Sequence, residues 1–332
     1  MIWLTLRRHR TELIIVGIAF AAIAGYILVT GIEMYAAYDH MTRGVSVALC
    51  ERQARTDDLC LGMVRAFTEK YSNPVYAFTA LYVFPAGVGA VLGAPLVASD
   101  LERGAFRLAW TQSVTRLRWL LTSLGAQIVV TLLPVAMLVA LAYWWRGPFA
   151  ASMDGAIDSS TYLIKGSVPL AYALFSLALG VAAGALLRRV VPALFATLGG
   201  YIAVALAMAN WWRPNFVPPV TQTWDPSVTT GPSRLTSNAW IYFIGYVDKT
   251  GQRLDINTAM QTCSPSGIEG FTGDSPGSSF AQCLHAHGWL SMGIWQPASR
   301  YWLFQGIESG ILVAVALLLL GFTVWWVKRQ LS

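Results

Sequence analysis

Six long apolar runs separated by polar connections set the first pattern along this chain. They run from Leu13 to Ile32, Val75 to Ala98, Trp119 to Trp145, Val168 to Leu187, Val190 to Asn210 and Ile307 to Val327. A helix that crosses the hydrocarbon of a bilayer needs roughly 20 mainly apolar residues. Each run meets that length, and none alternates with the period of two that a lipid-facing barrel strand requires. The pattern predicts an all-α polytopic membrane protein with six transmembrane helices, a single transmembrane domain over residues 1–332 and both termini on one side. Between the runs lie two large loops, 33–74 and 211–306, and a short charged connection, 99–118.

The loops carry patterns of their own. In the first, Val45, Leu49, Leu61, Val64 and Phe67 recur at helical spacing and predict mostly helix. The last opens with Trp211-Trp212-Arg213-Pro214, an interfacial aromatic pair followed by a helix stop. Farther on, residues 239–247 read as a strand, Asp248 to Gly251 as a turn and Gln252 to Ile256 as a short return strand, making a small β-hairpin. Residues 264–279, rich in Gly, Ser and Pro, read as irregular loop.

Composition agrees with a membrane protein: 55% of the 332 residues are hydrophobic, 12% are charged and 14 are Trp, with a mean hydropathy of +0.52. These values exclude an ordinary soluble domain. Charge then orients the chain. With the N-terminus inside, the inner segments hold Arg7, Arg8, Arg10, Arg103, Arg107, Arg116, Arg118, Arg188, Arg189, Lys328 and Arg329, while the other Lys and Arg are diluted over the long outer loops. The positive-inside rule therefore predicts cytoplasmic termini in a plasma-membrane protein. The first run continues past Ala22-Ile23-Ala24 to Ile32 and is longer than a signal h-region, so it reads as a retained helix preceded by a basic, amphipathic interfacial helix over residues 1–12.

All four cysteines, Cys50, Cys60, Cys263 and Cys283, fall in the predicted outer loops, as expected for disulfides in an oxidising exterior. Bridges Cys50 to Cys60 and Cys263 to Cys283 are the simplest of three pairings, and sequence alone leaves the choice open.

Candidate chemistry is sparse. Gly273-Asp274-Ser275-Pro276-Gly277 fits the G-x-S-x-G nucleophile elbow, but Pro276 has no N–H to offer an oxyanion. Cys283, His285 and His287 would share a face if their segment were a strand, which makes the two histidines weak metal candidates, the weaker if Cys283 is in a disulfide. None of Lys70, Lys165, Lys249 and Lys328 follows a glycine, so no phosphate-cradling P-loop is present and any ATP must bind another chain. Neither catalytic nor cofactor-binding residues are predicted, nor a nucleic-acid partner. In the membrane, Gly180 and Gly184 form a G-x-x-x-G pair for close helix approach, Pro85 and Pro95 predict a bent or broken second helix, and Gln127 is polar within the third. Glu308, with Gln305 and Tyr301 at helical spacing, lies near the start of the last run. It either borders a translocation path or pairs at the interface with a residue such as Arg300.

The connection Asp100 to Trp119 is basic and amphipathic, with Phe106, Leu108 and Trp110 on its apolar side, and it suits an interfacial helix that meets a soluble partner. Together with the lead-in Ile2-Trp3-Leu4-Thr5 and Arg7 to Arg10, the block from Gly93 to Ala98 running into Asp100-Leu101-Glu102-Arg103-Gly104, the stretch Leu108 to Ser113 with Thr115-Arg116, and the closing Gln296 to Trp302 with Gln305 and Glu308, it resembles actinobacterial permease subunits of type-2 ABC transporters. Relatives often carry glutamate where Asp100 stands and an aromatic where Leu6 stands. That resemblance implies an exporter subunit paired with a second copy of itself and with an ATP-binding subunit that holds ATP and Mg. It implies ATPase coupling through Glu102, Arg103 and Gly104, with Asp100 and Arg107 as neighbours. The competing expectations are a receptor or immunity-type protein that binds an extracellular antimicrobial or peptide, and a membrane-embedded metal-dependent enzyme. Cargo-stimulated ATP hydrolysis that depends on Glu102 or Arg103 separates transport from passive binding.

Overall fold

A computed structural model describes residues 10–44, 66, 69–70, 80–102, 116–147, 162, 166–228, 239–263 and 278–330. The chain divides into two compact units: Met1–Ser152, Leu163–Arg213 and Trp302–Ser332 form the first, and Met153–Tyr162 with Pro214–Tyr301 form the second.

The first unit is helical. Its elements are α1 (Arg10–Gly44), α2 (Ala80–Val88), a π-helical turn (Gly89–Gly93), α3 (Ala94–Glu102), α4 (Arg116–Trp145), α5 (Val168–Leu187), α6 (Val190–Ala207), a second π turn (Met208–Trp212) with a 3-10 turn (Arg213–Asn215), and α9 (Tyr301–Gln330). Among the described residues five helices are long and apolar enough to cross a membrane, within Arg10–Asp39, Leu121–Trp145, Val168–Leu187, Val190–Asn215 and Ala298–Arg329. The apolar part of the second predicted span, Val83–Ser99, is shorter than the others.

α5 is the hub. Most of its residues are buried, whereas α6 buries only Ala193, Thr197 and Tyr201. Side chains such as Phe195, 70% exposed, and Leu318, 73% exposed, give the outer helices an apolar surface that only lipid solvates favourably. The hub packs closely because it lacks side chains where the second span crosses it. A Cβ on Gly180 would lie 2.6 Å from the Gly89 carbonyl oxygen, and one on Gly184 would lie 2.5 Å from that of Ala94. The expected G-x-x-x-G contact is thus made, and its partner is the π turn and the start of α3.

The prolines do not break that second span. α2, the π turn and α3 follow without interruption, and the irregularity that Pro85 and Pro95 demand is taken up by the wide turn between them, while Ser176 donates to the Ala86 carbonyl at 3.2 Å. α1 runs twelve residues beyond its predicted end at Ile32, so Glu33 to Gly44 is helix continuous with the first span rather than part of a separate loop. The reason is packing against the end of α4: the Tyr35 hydroxyl donates to the Trp144 carbonyl at 2.9 Å, the two rings stack at 5.1 Å, and the Trp145 indole donates to Thr30 Oγ1 at 3.1 Å. Cys50, Cys60, the helical pattern of Val45, Leu49, Leu61, Val64 and Phe67, the lead-in residues 1–9, Arg103, Gly104 and Arg107, and residues 264–277 of the expected irregular loop lie outside the described residues.

The second unit holds β1 (Val220–Trp224), β2 (Trp240–Val247), β3 (Arg253–Leu254), α7 (Ile256–Cys263), α8 (Ser279–His287) and β4 (Leu290–Gln296). Its antiparallel sheet has the order β1-β4-β2-β3. The expected hairpin is present as β2 and β3, but it is half of a four-stranded sheet, and Ile256 starts a helix rather than ending the return strand. The Asp248 carboxylate organises the turn, accepting from Thr250 Oγ1 at 2.6 Å and from the amides of Thr250 and Gln252 at 2.8 and 2.9 Å. Cys263 and Cys283 form a disulfide between α7 and α8, beside a small core of Ala259, Phe280 and Leu284.

Candidate functional site

Glu308 lies two turns into α9 and has no exposed surface. Its carboxylate receives two hydrogen bonds from one guanidinium, Arg213 Nε to Oε2 at 2.8 Å and Nη2 to Oε1 at 2.6 Å. The Tyr172 hydroxyl donates to Oε1 at 3.0 Å. This forked, charge-assisted geometry is the strongest that arginine and a carboxylate make. The pairing corrects the sequence expectation. Glu308 pairs with Arg213, 95 residues away, while Arg300 donates to the Pro218 carbonyl and to Gln296 Oε1, both at 2.7 Å.

Backbone geometry explains why these side chains meet. Tyr172 stands on the first turns of α5, Glu308 on the first turns of α9, and Arg213 just past the π turn that ends α6. The wide turn and the 3-10 turn that follows it rotate Arg213 inward, to 2% exposure, while Trp211 and Trp212 beside it remain exposed. Gln305 Oε1 accepts from Val168 N at 3.1 Å and so caps the first turn of α5. Its close approach is possible because Gly166 precedes it with φ +106°, and a Cβ there would lie 2.5 Å from Gln305 Oε1. Ser167 and Ser309 hydroxyls meet at 2.7 Å. The rings of Tyr172 and Tyr201 lie 5.5 Å apart and those of Phe175 and Tyr201 6.5 Å apart, all three buried. Gln305 and Glu308, singled out in the sequence, therefore come together. Arg213, Tyr172 and Tyr201 were missed, and the one signal for Arg213 was a cation placed directly after an apolar run and its tryptophan pair.

At the opposite end of the same unit, Glu102 closes α3 and is exposed, and its Oε2 accepts from Val190 N, the first amide of α6, at 3.2 Å. Arg189 offers that helix no side-chain cap, and Arg188 turns the chain between α5 and α6 with φ 55°. A carboxylate here satisfies an unpaired amide and complements the helix dipole. Glu102, expected to face an ATPase, is thus also a joint between the 99–118 segment and α6. Asp100 belongs to the same last turn of α3.

In the second unit, Cys283, His285 and His287 lie on a helix, not on a strand, so the alternation that would have aligned all three is absent. His285 Nδ1 pairs with Asp225, whose carboxyl is held below the usual carboxylate range by hydrogen bonds from Ser227 and by His285. His287 Nδ1 lies 2.9 Å from the Cys283 carbonyl, and its ring packs 4.9 Å from that of Trp289. The sulfurs of Cys263 and Cys283 approach the His287 ring, but they are bonded to each other and offer no thiolate.

A protein-family profile described as ABC-2 membrane transporter related matches residues 17–213. Comparison with curated proteins and with solved structures found no match. The matched region runs from within α1 to Arg213 and includes Tyr172 and Tyr201, whereas Gln305 and Glu308 on α9 lie beyond it. This chain is a membrane protein of the ABC-2 membrane transporter related family.

Proposed function

We propose that the chain is the membrane-spanning subunit of an ATP-driven exporter, working in the plasma membrane with a second copy of itself, a separate ATP-binding subunit and both termini in the cytoplasm. The observation that carries this reading is the family match over 17–213, which takes in the packed helices and the charged 99–118 connection between two of them. ATP-driven closure of the partner subunits would push on that connection and shift the population between states closed and open at the far end. The joint at Glu102 and Val190 supports a route for that push into α6, and the close packing of Gly180 on Gly89 and Gly184 on Ala94 supports movement of α2, α3 and α5 as one body. Helix α6, Val190–Ala207, is about 27 Å long at 1.5 Å per residue, and the π turn after it carries the chain on to Arg213 of the buried ion pair.

The test is co-purification with an ATP-binding subunit sought in the neighbouring reading frame, comparing wild type with the double variant Glu102→Ala plus Arg103→Ala, followed by ATP hydrolysis in lipid. A stable complex that loses its partner or its coupling in the double variant supports the reading. Failure of the wild-type chain to associate with the ATP-binding protein overturns it.

A further inference from the structure

An ionisable group inside a membrane unit is costly unless it is paired. A buried ion pair is in turn a poor stabiliser, because apolar residues of similar volume hold a core as well or better. Holding the fold together therefore does not account for Arg213 and Glu308. Chemically, the cluster is a cation receptor: a fully buried carboxylate, a tyrosine hydroxyl 3.0 Å from it, and the buried rings of Tyr172, Tyr201 and Phe175 in sequence behind it. A buried carboxylate with a phenol on it and packed aromatic rings adjoining that phenol suits weakly hydrated organic cations, and the guanidinium is itself one.

The two halves differ in backbone regularity. Tyr172 and Glu308 stand on unbroken α-helices, whereas Arg213 follows the π turn Met208–Trp212 and opens a 3-10 turn, where the α-helical ladder gives way to wider and then tighter bonds, Arg213 N donating to the Met208 carbonyl. The receptor half is rigid, and the occupant sits on the part of the chain better able to re-form. Trp211, Trp212 and Trp302 are exposed at this end and mark the depth at which an aromatic belt meets the headgroups. Glu308 lies six residues beyond Trp302, about 9 Å along α9 from that depth.

We propose that Glu308, Tyr172 and Tyr201 form a recognition site for a hydrophobic organic cation, with the Arg213 guanidinium as its resident occupant, displaced when that cation binds. The proposal rests on the permease reading and gives it a cargo class. Because the cation competes with a tethered guanidinium, its apparent affinity in wild type is the intrinsic affinity multiplied by the fraction of time the carboxylate is free.

The experiment is equilibrium binding of tetraphenylphosphonium to the full chain in lipid nanodiscs, with neutral triphenylphosphine oxide as the control for partition into lipid. Expected are saturable binding to wild type, binding about tenfold tighter or more in Arg213→Met, and loss in Glu308→Gln. Arg213→Lys keeps a cation but loses the fork, so its affinity should fall between wild type and Arg213→Met. If Arg213→Met does not fold, the order Glu308→Gln, wild type, Arg213→Lys from weakest to tightest carries the test. Equal binding across wild type, Arg213→Lys and Glu308→Gln, or equal binding of the neutral probe, overturns the proposal. The assay contains no ATP and no ATP-binding subunit, so the site and the permease reading fail independently.

Discussion

The two ends of α6 are each tied by a glutamate, and the ties are unlike. At one end the exposed carboxylate of Glu102 accepts the amide of Val190; at the other the fully buried carboxylate of Glu308 accepts the forked guanidinium of Arg213 and the hydroxyl of Tyr172. Water screens the first and competes with it, so it can loosen and re-form at low cost. Water does not replace the second when it parts, so without another partner each ion would be left desolvated. The difference teaches that the same helix is joined softly at its start and the chain is held stiffly just beyond its end.

Breaking the stiff end should have the largest effect. Arg213→Met alone leaves Glu308 buried without its guanidinium, and should cost about 3–5 kcal/mol of stability, seen as a lowered thermal midpoint of the chain in lipid. Adding Glu308→Leu should recover most of that loss. If the single and double variants melt alike, the pair is not the energetic contrast to Glu102 described here. Tyr172→Phe removes one hydrogen bond to a charged group and should cost about 1.5–3 kcal/mol in the same assay. At the soft end, Glu102→Ala should cost only about 1 kcal/mol, the usual worth of a helix cap, while raising amide exchange at Val190. A loss as large as that of Arg213→Met would erase the comparison.

Asp248 sharpens it from the second unit with the smallest effect. Hydrogen bonds from Thr250 and Gln252 lower its pKa, so the charged form is favoured in the fold. Its contribution is fully present above the ordinary carboxylate value of about 4 and is lost as pH falls through the lowered folded value. Amide exchange at Thr250 and Gln252 should therefore rise only in acid below that value, and Asp248→Asn should remove the acid step.

Legibility in the sequence followed how local each cause is. α5 was delimited from Val168 to Leu187 because an unbroken apolar run is closed by Arg188 and Arg189. α1 and α9 were drawn short, since Glu33 to Gly44 and Tyr301 to Gly306 lack the hydropathy of a span and are held helical by contacts such as Tyr35 on Trp144. In the sheet, β2 stood out as a β-branched and aromatic run. β1 and β4 are shorter or contain Gly293, and their pairing of Val220 with Trp295 joins segments far apart in the chain. At the candidate site Glu308 and Gln305 were visible as polar residues in an apolar helix, and Arg300 was the nearest cation in the chain.

The sequence by itself determined that this is a helical membrane protein, where its apolar segments lie and which carboxylate is out of place among them. These follow from transfer free energies that each residue carries wherever the chain goes. Only the tertiary structure decided that Arg213 rather than Arg300 answers Glu308, that Glu102 caps α6, and that a hairpin belongs to a four-stranded sheet. Each of those is a choice among distant partners, made by helix ends brought together through packing on α5 or by strands paired across the loop, and no local pattern records it.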